Sequence, residues 1–181
     1  GLGDVYKRQW KYREDIRKMH KLQEQYLFLA RHNIHSAEEL VGTIASLTDK
    51  KKETSAEKSR IYKARERSRE LFTAADEMEN LKPAEQSYRL GDTFFEDEHR
   101  KWVALEQELQ AQGYSLEEVQ ALRRHYKEEY SEVCAKEKVV FRELNTGKAI
   151  LNSMIPDSIS DGRKTEYNRE IIRDRKEQPV R

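Results

Sequence analysis

The chain has 181 residues, 38% charged and 36% hydrophobic, with 35 Lys and Arg against 34 Asp and Glu and a net charge of +1. An apolar share below the roughly 45–50% of ordinary globular domains excludes a single thick core, and near-neutrality argues against a general polycation. Seven Gly and three Pro are too few for the regular turns of an all-β sandwich, so the composition selects long helices with narrow apolar seams.

Residues 1–9, from Gly1 to Gln9, differ in character from the rest of the chain and resemble one reading-frame translation of the mosaic-end adapter of transposase-based sequencing libraries. The expectation is an assembly scar ahead of a natural sequence that starts at Trp10 as part of a longer protein; the alternative is a genuine flexible N-terminus. Trp10 to His32 reads as one amphipathic helix, with Tyr12, Ile16, Met19, Leu22, Tyr26 and Leu29 on its seam. Asn33 suits the left-handed position that ends a helix, and Ser36-Ala37-Glu38-Glu39 is a capping box that starts the next. So short a link predicts an antiparallel hairpin.

The second helix is expected to run from Ser36 as far as Lys82, through a polar stretch at 48–60 that reads as a projecting helix or a frayed joint. Pro83 is expected to open a new helix, and Gly91-Asp92 is a further possible break. Phe95, Trp102, Leu105 and Leu109 make a third seam ended by Gly113, and Ser115-Leu116-Glu117-Glu118 is a second capping box. A last helix carries Val119, Leu122, Tyr126, Val133, Val140 and Leu144, with Gly147 as a stop or kink and a short continuation to Met154. The expected organisation is all-α: a long coiled-coil-like antiparallel hairpin over 10–82, a second over 83–154, and a polar tail over 155–181, disordered or marginally helical, in which Ile171-Ile172 are the only adjacent large apolar residues.

The chemistry is sparse. His32-x-x-His35 has ligand-like spacing but falls on a helix boundary with no Cys nearby, so exposed turn histidines are expected and no metal or other cofactor. Cys134 sits mid-helix beside Val133 and reads as a small buried residue; as the lone cysteine it excludes an internal disulfide framework and fits a reducing, cytoplasmic compartment. No Gly-rich phosphate loop occurs, no catalytic residue is assigned, and no apolar run of about 18 residues predicts a membrane span. The feature with functional content is basic. Lys58, Arg60, Lys63, Arg65, Arg67 and Arg69 face a single acid, Glu66, and on a helix they would wrap much of its circumference and could neutralise several DNA phosphates. Lys50-Lys51-Lys52 lies upstream and Arg123, Arg124 and Lys127 form a smaller patch; the plain alternative is a solvated helix surface.

The passage Tyr26-Leu27-Phe28-Leu29-Ala30-Arg31-His32-Asn33-Ile34-His35-Ser36-Ala37-Glu38-Glu39-Leu40 resembles one found past the catalytic domain in relaxases, the mobilisation nucleases of conjugative elements of Gram-positive gut bacteria. Ser87-Tyr88-Arg89, the acidic Phe95 to His99 segment, the Gly113-Tyr114-Ser115-Leu116 turn and the helix from Tyr126 to Leu151 come after it in the order seen there, so the resemblance spans Trp10 to Met154. Asn33 stands where Gly is common, and Pro83 interrupts a region usually more continuous. The resemblance implies a parent enzyme that nicks DNA through a tyrosine nucleophile and a histidine-held metal, both in a domain this sequence does not contain. What it implies for these residues is a non-catalytic accessory region in DNA mobilisation, contacting DNA through phosphates or other conjugation proteins. The rival expectation is a coiled-coil scaffold or oligomerisation segment of an unrelated cytoplasmic protein, its seam satisfied between chains.

Overall fold

The computed structural model describes residues 1–155, 166 and 169–173. The described residues are all-α: α1 (Leu2–Arg31), α2 (Ala37–Arg67), α3 (Arg69–Arg89), a single 3-10 turn (Thr93–Phe95), α4 (Glu96–Ala111) and α5 (Leu116–Ser153), with no strand among them. The chain forms two compact units, 1–54 with 136–181, and 55–135, so α2 and α5 contribute residues to both. That division differs from the expected hairpins over 10–82 and 83–154.

Local signals set the helix ends. Asn33 adopts φ 52°, Ile34 N–H donates to Leu29 C=O (2.9 Å) and Asn33 N–H to Ala30 C=O (3.2 Å), the paired bonds of a Schellman stop. Gly113, at φ 84°, closes α4 in the same way, with Tyr114 N–H on Leu109 C=O at 3.0 Å. The hydroxyls of Ser36 and Ser115 accept from the amides of Glu39 and Glu118, each at 3.2 Å, and the Glu39 carboxylate accepts from the His35 amide at 2.7 Å.

Two punctuation residues behave otherwise than expected. Pro83 lies inside α3. It and Glu79, whose carbonyl loses its amide donor, are both exposed, so water can satisfy that oxygen and the helix continues. The break falls instead at Ser68, whose amide bonds Arg65 C=O (3.1 Å) in a tighter turn and whose hydroxyl donates back to Ala64 C=O (3.3 Å). Gly147 does not stop α5. It is buried, and a Cβ there would stand 3.1 Å from both Phe28 Cζ and Ile44 Cγ1. The glycine is present for close approach.

The polar stretch at 48–60 is continuous helix, with Thr48 and Thr54 hydroxyls donating to the carbonyls four residues back (2.8 and 2.7 Å), which lets Thr54 be buried.

In the first unit the core gathers Phe28 and Ile34 with Leu40, Val41, Ile44 and Leu47 of α2 and Leu144, Ile150 and Leu151 of α5. Residues 169–173 are helical, and Ile171 and Ile172 pack half-buried against this core. The adjacent apolar pair therefore anchors a segment expected to be disordered or marginally helical; the rest of 156–181, apart from Glu166, lies outside the described residues.

In the second unit α3 and α4 fold against each other across the 3-10 turn. Leu71, Phe72, Ala74, Ala75 and Met78 meet Trp102 and Leu109, and Val119 closes the cluster from α5. The Trp102 indole N–H is buried there without an acceptor among the described residues.

Candidate nucleic-acid interface

The six cations from Lys58 to Arg69 surround an inner seam in which Ile61 is buried and Ala64 and Ser68 are half-buried. Arg60, Lys63 and Arg67 each precede a seam residue by one, which is 100° of rotation, and so emerge together along one flank at i, i+3, i+7 spacing. Arg65 and Arg69 each come one residue after a seam position and emerge on the opposite flank with the exposed Tyr62, Arg69 lying beyond the break at Ser68. The structure thus divides into two rows what the sequence alone presents as one cluster.

The rows differ in electrostatics. Arg60, Lys63 and Arg67 are exposed and make no ion pair or hydrogen bond among the described residues. On the other flank, Arg69 lies 4.0 Å from the Glu66 carboxylate, and Lys58 is half-buried with its ammonium 5.8 Å from the centre of the Tyr130 ring. A charge-only phosphate contact requires cations that keep their hydration and reach, and the 60–63–67 row meets that condition best.

Two of the neighbouring basic groups, Arg123 and Lys51, are engaged in packing. Arg123 grips Asp76 with two bonds (2.5 and 3.1 Å) and lies over the Phe72 ring, while Arg124 and Lys127 are exposed. The hydrogen bond from Arg123 holds the Asp76 carboxyl below its ordinary value and raises the guanidinium in turn. Lys51 is half-buried with its ammonium 4.3 Å from the Phe141 ring centre. Burial, and then repulsion from Lys51 and Arg169, lower the Lys148 ammonium.

Two acid–base clusters are not visible in the sequence. Glu85 is almost fully buried, accepting from Arg89 at 2.8 Å and from His99 at 2.7 Å, with Tyr88 stacked on the imidazole at 4.1 Å. Glu143 holds Arg31 at 2.5 Å and His32 at 2.7 Å, the latter ring against Phe28. His32 is therefore half-buried and paired rather than exposed, whereas His35 is exposed and bonds Asn33 Oδ1 at 2.8 Å. The i, i+4 spacing of Glu85 and Arg89 is the one local hint; the other partners come from distant sequence. Glu85 is buried and Glu143 half-buried, and each carboxylate ties an arginine to a histidine. No three His, Cys, Asp or Glu side chains among the described residues gather as a metal site, and Cys134 is half-buried. No described helix is long and apolar enough to cross a membrane. No family model, curated protein or solved structure matches the chain.

Proposed function

We propose that this chain is a non-catalytic helical accessory region that contacts a nucleic-acid backbone through Arg60, Lys63 and Arg67, in the manner of the C-terminal part of a DNA-mobilising relaxase. The observation that carries the reading is this row of three cations, exposed along one flank of α2 and unengaged among the described residues. Such a surface gives affinity without base specificity. With about three phosphates neutralised, duplex affinity falls about 40-fold between 50 and 200 mM salt. Filter binding to single- and double-stranded DNA checks this. The triple change Arg60→Gln, Lys63→Gln, Arg67→Gln is expected to flatten the salt dependence, and Arg65→Gln with Arg69→Gln to affect it less. Salt-indifferent binding, or a triple variant that binds as the parent does, sinks the reading.

One observation favours a second reading, the scaffold or assembly segment. The seam of α1 is not satisfied within the described residues: Tyr12, Met19, Leu22 and Tyr26 are 65–71% exposed. Sedimentation equilibrium separates its two forms: a seam satisfied by further copies makes the chain oligomeric at micromolar concentration, and a seam satisfied by another protein leaves it monomeric.

A further inference from the structure

The exposed seam of α1 has a register that can be read residue by residue. Tyr12, Met19 and Tyr26 recur every seven residues, and Asp15, Leu22 and Leu29 recur every seven in the alternate position, the 3–4 spacing of a coiled-coil seam. The helix is held at its other side. Phe28, its one fully buried side chain, stands two residues and 200° from Tyr26. Packing in the first unit takes up Leu29 at the end of the seam and leaves Tyr12, Met19, Leu22 and Tyr26 exposed, the stretch left for another helix.

Charge decides which helix. Residues 10–31 carry six Lys and Arg against three Asp and Glu. Lys11 and Lys18 lie one residue before the seam positions Tyr12 and Met19 and so line one edge. Pairing with a second copy meets like charge in either direction. A parallel copy in register puts Asp15 against Asp15 inside the seam, and an antiparallel one brings the lysine edges together. A helix with carboxylates along the matching edge and a Lys or Arg opposite Asp15 has neither conflict.

Resting on the assembly reading above, we infer that the α1 seam is a docking face for an acidic amphipathic helix of a different protein, laid along Tyr12, Met19, Leu22 and Tyr26. The probe is a synthetic heptad peptide with Leu at both seam positions, one Lys opposite Asp15 and Glu on its edges, titrated by fluorescence anisotropy against the full chain. Its control carries Lys on the edges. The acidic peptide is expected to bind about ten-fold tighter than the basic one, as two edge ion pairs set against two like-charge contacts would give. Leu22→Glu is expected to cost about ten-fold in affinity while leaving the circular dichroism unchanged. Equal binding of the two peptides overturns the charge assignment and leaves the assembly reading standing. Binding of neither overturns the proposal, and together with a chain that sediments as a monomer it overturns the assembly reading as well. Oligomerisation of the chain alone that Leu22→Glu abolishes identifies the occupant as a second copy and overturns the proposal. So does co-sedimentation with phosphatidylserine vesicles that the same change abolishes, since the occupant is then a lipid surface.

Discussion

α1 and α4 carry seams of the same kind and meet opposite fates. Along α4, Trp102 and Leu109 are buried and Leu105 half-buried, whereas on α1 the Tyr12, Met19, Leu22 and Tyr26 stripe stands in solvent. The difference lies in what adjoins each helix. α4 is held between two tight turns, the 3-10 turn that returns it along α3 and the Gly113 stop that leads into α5, so its seam finds apolar partners along its length. Among the described residues of α1, Phe28 and Leu29 in its last turns, next to the Asn33 stop, are the ones that reach the first core. Periodicity identifies a face to be covered; connectivity decides whether the chain covers it.

The sharpest way to break this comparison is to truncate one leucine in each seam. Leu109→Ala, at a position 1% exposed, is expected to cost about 2–5 kcal/mol of unfolding free energy. Leu22→Ala, at 65% exposed, is expected to stay within about 0.5 kcal/mol. Chemical denaturation of the two variants gives both numbers, and a comparable loss at Leu22 would mean that its side chain is covered.

A second change tests how α1 is held at all. Gly147 receives Phe28 and Ile44, both fully buried, at a separation that leaves no room for a branched side chain. Gly147→Val is expected to cost about 1–3 kcal/mol, since neither neighbour can retreat into solvent. Gly147→Ala gains up to about 1 kcal/mol of helix propensity and asks for a shift of a few tenths of an ångström, so its effect should be much smaller. A valine variant as stable as the parent would show that Phe28 is not the anchor.

These cases show where sequence reading succeeds and where it stops. The stops at Asn33 and Gly113 and the starts at Ser36 and Ser115 are legible because each is decided within six residues by hydrogen bonds the chain makes to itself. Pro83 and Gly147 are misread by the same local rules. Whether a proline breaks a helix depends on whether water reaches the orphaned carbonyl, and whether a glycine ends one depends on what stands opposite. The Lys58–Arg69 cluster is visible as composition, but its division into two rows emerges only once Ile61 is known to face inward. Glu85 is the hardest case, a carboxylate whose burial depends on His99, fourteen residues away on the next long helix.

The smallest effect belongs to the charge at the edge of the second core, and it sharpens the comparison by showing how little a covered seam depends on ion pairs. Asp76 and Arg123 are about half exposed, so their bidentate pair is worth at most about 1 kcal/mol. The sign of its pH dependence is set by Asp76, whose carboxyl is held below its ordinary 3.8 chiefly by the hydrogen bond from Arg123. As pH falls the unfolded chain takes up the proton first, so the pair's contribution is complete above that value and is lost as pH drops through the lowered one. Asp76→Asn should therefore melt slightly below the parent at about pH 7, with the gap closing towards about pH 3. Melting curves that stay separated by the same amount at both pH values would show that Asp76 acts through packing against Arg123 and Phe72 rather than through its charge.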